Sequence, residues 1–271
     1  MRKSIGSKLY TILVFAFLYL PIGVLILYSF NSADSTGVFR GFSLKWYQEL
    51  FSDGATLNAL KNTLVLAVLS SVIATIIGTA AAYGISKMSN KHLKSATMSV
   101  TQIPMINPEI VTGISMMLLF VFVGTILGSE DKLGFSTLLI AHVTFCLPYV
   151  ILSVRPKLLQ MNKALPEAAM DLGCTPIQSF FKVELPNIFS GVLSGFILAF
   201  TLSLDDFVIS YFTTGNDFQT LPLLIYSMTK KEVKPDIYAL STLMIAAVTI
   251  LLLLSNISSK GKTADRQVTI K

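Results

Sequence analysis

The sequence predicts an all-α membrane protein with six transmembrane helices, and three observations lead there. Of its 271 residues, 53% are hydrophobic and only 13% charged, about half the charge of a soluble domain, and the mean hydropathy is +0.68. Six segments hold the roughly 20 apolar residues needed to cross a hydrocarbon core. Lys and Arg are shared unequally between the connections that join those segments.

The first segment, 10–30, follows Arg2, Lys3 and Lys8 in the manner of a signal peptide. Its apolar stretch is too long for such a peptide's core and lacks a small-x-small cleavage site, so it is read as a span. The second and fourth, 60–86 and 134–155, are long apolar runs. The third, 96–127, is overlong and holds Pro104 and Pro108, so its first turns are expected to kink or to lie along the interface. The fifth, 188–212, carries Gly191 and Gly195, spaced for close helix contact, and ends on "LSLDDFVISYF". The sixth covers 237–258. Together they are expected to form one transmembrane domain over 1–271, without internal repeats and with a short polar tail after Ser259.

An even number of spans sets both termini on one side. With the termini cytosolic, fourteen Lys and Arg fall inside and seven outside, which satisfies the positive-inside rule. The net charge of +6 is explained by that asymmetry, spread over short connections, and not by nucleic-acid binding. Cys146 and Cys174 fall in a span and in a cytosolic connection and are read as free thiols. In the outer connection "GFSLKWYQELF", Trp46 and Tyr47 suit a membrane–water interface.

The cytosolic connection 156–187 is the most patterned stretch. "LPEAAMDLGCTPIQSFFKVELPNI" spells two short helices joined by a turn. Pro166 suits a first helical position, Gly173 a left-handed stop, and Thr175 with Gln178 a capping box. Leu185-Pro186 is expected to end the second helix before the fifth span. Physics alone describes a well-capped connector on the membrane surface. Ala168 and Ala169 would let a helix approach another protein closely, and Glu167 offers a carboxylate to an Arg or Lys across such a contact.

Intramembrane acids are costly and functional by default. Asp206 shares a helical stripe with Ser203, Ser210 and Thr213 and is the favoured pathway-facing acid. Asp205, with mostly apolar helical neighbours, would be a supporting partner or a subunit contact. Two simpler readings compete: both acids lie in the headgroup layer, or they pair with a basic residue of a neighbouring helix for assembly. Glu109 follows Pro108, where a helix start can stabilise a carboxylate. It is read either that way or as a second anionic station.

The array Glu167-Ala168-Ala169, Gly173 and Leu185-Pro186 resembles the EAA motif of permease subunits in binding-protein-dependent ABC importers. "PIGVLILYSFN", "LSLDDFVISYFTTG" and "TLPLLIYSM" look like the polyamine branch of that family, and the resemblance covers nearly the whole chain. It implies a methionine-importer-like permease fold in a bacterial cytoplasmic membrane, with Glu167, Ala168, Gly173, Leu185 and Pro186 serving ATPase coupling. It also implies the partners: a second, similar permease, two cytosolic ATPases that bind ATP and Mg, and an extracytoplasmic polyamine-binding protein. The chain itself would carry no cofactor. The resemblance implies polyamine, with Asp206, Asp205 and Glu109 along its path and Tyr211 and Tyr226 as candidate aromatic faces; the residues themselves support only a cationic cargo.

Other chemistry finds little support. Gly261-Lys262-Thr263 imitates a P-loop end, but the earlier glycine position holds Asn256 and no strand precedes it. No catalytic activity is expected of the chain, and no metal site. His142 and Cys146, spaced i,i+4, make a weak metal pair; a hydrogen bond between helices suits His142 better. A stand-alone secondary transporter would need repeats or broken helices in both halves. A catalytic pair would need acids facing each other, whereas adjacent helical residues point about 100° apart.

Overall fold

The computed structural model describes residues 5–33, 38–129, 131–215, 218–230, 235–250 and 253, and among these it is helical with one isolated bridge, Asn31 to Phe42. The helices are α1 (Ile5–Tyr28), α2 (Lys45–Ser52), α3 (Gly54–Lys87), α4 (Lys91–Ile106), α5 (Glu109–Ile126) and α6 (Phe135–Gln160). Then come α7 (Ala164–Asp171), α8 (Pro176–Ser179), a π turn (Phe180–Glu184), α9 (Leu185–Asp205), α10 (Val208–Thr213), α11 (Leu221–Thr229) and α12 (Asp236–Ile250). Five helical runs are long and apolar enough to cross a membrane: Lys8–Tyr28, Gly54–Lys87, Glu109–Ile126, Phe135–Gln160 and Pro176–Asp205. α12 is shorter, and most of the expected sixth span beyond Ile250 lies outside the described residues.

The chain falls into two compact units, Met1–Ala59 with Leu224–Ile250, and Leu60–Leu223 with Leu251–Lys271. α3 and α11 each run from one unit into the other. In the first unit the segment after α1 is organised by Asn31. Its side chain donates to the Val38 carbonyl at 2.7 Å and accepts from the Arg40 amide at 2.9 Å. Its carbonyl accepts from Trp46 Nε1 at 2.7 Å. Trp46 is therefore buried, 5% exposed, rather than set out as an interface anchor: the indole N–H has a protein acceptor at hand. Asp53 opens α3 by accepting from the Thr56 hydroxyl and from the amides of Ala55 and Thr56. The hydroxyl bond first among these holds its carboxyl below the usual range.

In the second unit α6 is the central helix, and glycines let its neighbours close on it. A Cβ on Gly78 of α3 would meet Val150 Cγ1 at 2.7 Å, and one on Gly195 of α9 would meet the same atom at 3.2 Å. Val150 thus fills the space two glycines leave from opposite sides. A Cβ on Gly191 would come within 2.9 Å of the Ser153 carbonyl, so the glycine pair expected to pack closely does so. α5 meets α10 at Gly113, where an added Cβ would touch Phe212 at 2.9 Å.

Two boundaries differ from the sequence reading. The third segment is not one helix: Asn107 is extended (φ −70°, ψ 140°) and α5 starts afresh at Glu109, because the residue before a proline is driven out of the helical region. Pro104, by contrast, sits inside α4. Nor does Leu185-Pro186 end a helix. α8 passes through the π turn into α9, and the Leu185 N–H reaches back five residues to the Phe180 carbonyl. The wider turn accommodates Pro186, which lacks an N–H and would crowd an ordinary helical turn.

Candidate functional site

Two places in the second unit gather chemistry: the end of α9 and the connector α7–α8. At the first, α9 stops at Asp205, and Asp206 is extended (φ −63°, ψ 125°). Its carboxylate accepts from the amide of Ile209 at 3.3 Å, the amide of Ser210 at 2.8 Å and the Ser210 hydroxyl at 2.9 Å. It therefore satisfies N–H groups that the first turn of α10 would otherwise leave unpaired. The imidazole of His142, from α6, places Nε2 3.0 Å from Ser210 Oγ and 3.4 Å from Asp206 Oδ2. Its Nδ1 lies 2.7 Å from Ser203 Oγ, which accepts from Ser70 of α3 at 2.9 Å. One turn further along α6, Cys146 donates to the Ala199 carbonyl at 3.5 Å.

Asp206 is consequently buried, 8% exposed, and this corrects its reading as the acid on the open face. The stripe that joined it to Ser203 and Ser210 assumed one continuous helix. The helix breaks at Asp206 itself, and the carboxylate turns inward to close the break. Asp205, one residue earlier, is exposed. The new helix start places a second carboxylate, Glu109, at the head of α5, which packs on α10 at Gly113; Glu109 is exposed as well. Among the described residues neither Asp205 nor Glu109 has a Lys or Arg partner. Tyr211 is 49% exposed and stands against Phe207 and Phe212. Tyr226 belongs to the first unit, with Lys230 Nζ 4.5 Å from its ring.

The connector follows its sequence signals. Gly173 has φ +90° and closes α7 with two bonds: the Gly173 amide to the Met170 carbonyl, and the Cys174 amide to the Ala169 carbonyl. That is a Schellman motif. Thr175 and Gln178 cap each other reciprocally at 3.3 and 3.1 Å. α7 starts two residues before the expected position, at Ala164, with Pro166 still inside the first turn where no N–H is missed. Glu167 and Ala168 face outward; Ala169 packs inward. Leu172 and Ile177 are 87% and 71% exposed, a pair of apolar side chains on the outer face. Leu185 packs against the core while Pro186 is exposed.

Sequence reasoning passed over Glu184. It is buried, accepting from Tyr83 Oη at 3.2 Å and facing Lys87 Nζ at 3.4 Å, both on α3. Its only signal is a lone acid between Val183 and Leu185. His142 was legible as a helix-to-helix hydrogen-bonder, but not as the partner of Asp206.

An all-helical unit with two broken apolar helices and a capped connector before the penultimate apolar helix defines a class of membrane transport subunit. Residues 74–261 match the family described as "Binding-protein-dependent transport system inner membrane component", and the chain belongs to that family. It is 40% identical to the putrescine transport system permease protein PotI of Escherichia coli K12, over 88% of this chain and 84% of that one. It is 37% identical to the spermidine/putrescine transport system permease protein PotC of the same strain, over 95% of each chain. Among solved structures its fold is similar to a bacterial alginate ABC transporter (TM-score 0.75, 17% identity, 94% of both chains). It is also similar to the MetNI methionine ABC transporter (TM-score 0.58, 16% identity, 81% of this chain and 99% of that one).

Proposed function

We propose that the chain is one of two permease subunits of an ATP-driven importer of polyamines, spermidine and putrescine above all. One observation carries the cargo assignment: Asp205 and Glu109 stand exposed at helix ends, without a Lys or Arg partner among the described residues, in a chain 37–40% identical to permeases named for putrescine and spermidine. A polyamine is a flexible apolar chain with ammonium groups several ångströms apart. Two carboxylates at the ends of broken helices, with the ring of Tyr149 on α6 and that of Tyr211 on α10, offer it both charge and a hydrocarbon-compatible face.

The whole chain acts as a single transmembrane domain of six spans, α12 opening the sixth, with both termini cytosolic. The connector is the coupling element. Glu167, Ala168 and Gly173 shape a compact plug, and the exposed side chains of Leu172 and Ile177 seat it in a groove of a cytosolic ATPase, which binds the ATP and Mg. Leu185 and Pro186 begin the helix that carries the motion to Asp205. A second, similar permease completes the pore and an extracytoplasmic binding protein delivers the cargo. The alginate transporter was captured with its periplasmic protein, which supports an assembly of that kind. ATP binding closes the ATPases, draws the connector with them and opens the pore outward; hydrolysis returns it inward.

The test is uptake of labelled spermidine by the reconstituted assembly. Asp205→Asn and Glu109→Gln should each lower uptake about tenfold or more while leaving assembly intact, as loss of a charge-assisted contact does. Full uptake by both variants would overturn the cargo site. Glu167→Ala should leave ATP hydrolysis running without uptake, and unchanged coupling would remove that assignment.

A further inference from the structure

We infer that His142 is a positioning residue: it holds the break between α9 and α10 and thereby sets Asp205 outward and Asp206 inward. The inference rests on the permease reading for its consequence in transport, but on geometry for its substance. Ser203 and Ser210 are seven residues apart, which on an unbroken helix is about 10.5 Å along the axis. One imidazole cannot reach both hydroxyls across that distance with bonds of 2.7 and 3.0 Å. It does so because the extended residue Asp206 brings the two serines together. The ring is thus a brace that fits only the broken helix.

The polarity of the hydrogen bonds assigns the ring's role. Ser210 gives its hydroxyl proton to Asp206 Oδ2, so Ser210 Oγ must accept from His142 Nε2–H. In the neutral ring Nδ1 then accepts from Ser203, which in turn accepts from Ser70. One directed chain runs from Ser70 on α3 through His142 on α6 to the carboxylate of Asp206, and every hydroxyl proton in it is used. All five side chains are buried. Removing the imidazole takes the donor from Ser210 and the acceptor from Ser203 together, on both sides of the break. A rejoined α9–α10 helix would then turn residue 206 onto the stripe with Ser203 and Ser210 and carry residue 205 about 100° away from it.

The experiment reads side-chain position directly, in the full chain in membranes, without cargo. Single cysteines replace Asp205 or the buried Ile209, which would share one face of an unbroken helix, in a background carrying Cys146→Ser and Cys174→Ser, and their rates of reaction with a cationic methanethiosulfonate are compared with and without His142→Ala. Asp205→Cys should react at least about tenfold faster than Ile209→Cys with His142 present, the contrast between an exposed and a buried thiol. His142→Ala should collapse or invert that ratio, and His142→Gln, which keeps one acceptor and a donor at similar reach, should restore most of it. If His142→Ala fails to accumulate, Ser210→Ala removes one link of the same chain and should lower the ratio on its own. An unchanged ratio in His142→Ala, or in Ser210→Ala where that is the variant available, would overturn the inference. A shifted ratio, with no polyamine uptake by the assembly that keeps Asp205 and His142, would sink the cargo reading and leave the brace standing; normal uptake by that assembly with an unshifted ratio would do the reverse.

Discussion

The connector 161–187 and the stretch 203–213 both interrupt helical chain, and they are held by different means. In the connector, α7 is closed by bonds within its own last residues and α8 is opened by Thr175 and Gln178. At 203–213 Asp206 caps α10 locally, but the groups that brace the break across its two sides come from α6 and α3, 61 and 133 residues away from Ser203 in the chain. An interruption whose partners are its neighbours survives changes in packing. One with distant partners exists only while three helices stay packed. The adjacent aspartates show the cost: Asp206 is committed to the fold, and Asp205 stands exposed beside it.

The largest test of that contrast sets the two acids side by side. Asp206→Ala leaves the His142 and Ser210 groups buried without their carboxylate and should lower stability by about 3–5 kcal/mol, seen as a sharp fall in thermal unfolding temperature in detergent. Asp205→Ala should move the same measurement by less than about 0.5 kcal/mol. Similar losses for both would erase the distinction. Glu184 ties the connector to α3, beside the Tyr83–Phe180 ring contact, so its removal asks whether the connector is as self-contained as its caps suggest. Glu184→Ala should cost about 2 kcal/mol, less than Asp206, because Lys87 is half-exposed and can turn to water. Gly173→Ala forces a side chain into a left-handed conformation and should cost about 1–2 kcal/mol, with a lower ratio of uptake to hydrolysis and no change in cysteine reactivity at 205. Within the connector the smallest effect is expected of Thr175→Ala, about 1 kcal/mol for a lost cap, detected as faster amide exchange confined to α8.

The connector was the most legible region because its signals act over three to five residues. Gly173, Thr175 and Gln178 do in space what their spacing says. The break at Asn107-Pro108 was half legible: two prolines announced a disturbance, but only the steric conflict at Asn107 decided where it fell. Pro186 misled, since a proline that commonly ends a helix is absorbed here by a five-residue turn. The polar stripe through Ser203, Asp206 and Ser210 misled for a deeper reason. Periodicity presumes a continuous helix, and nothing within a few residues of Asp206 announces that it is not one.

The sequence by itself determined the helical class, the apolar segments and the capped connector, because apolar length, glycine conformation and helix caps are properties of adjacent residues. Only the tertiary structure decided that Asp206 closes a break and that Asp205 and Glu109 are both left exposed. That choice is made by an imidazole and two serines on separate helices, and a buried charge goes where its hydrogen-bond partners are.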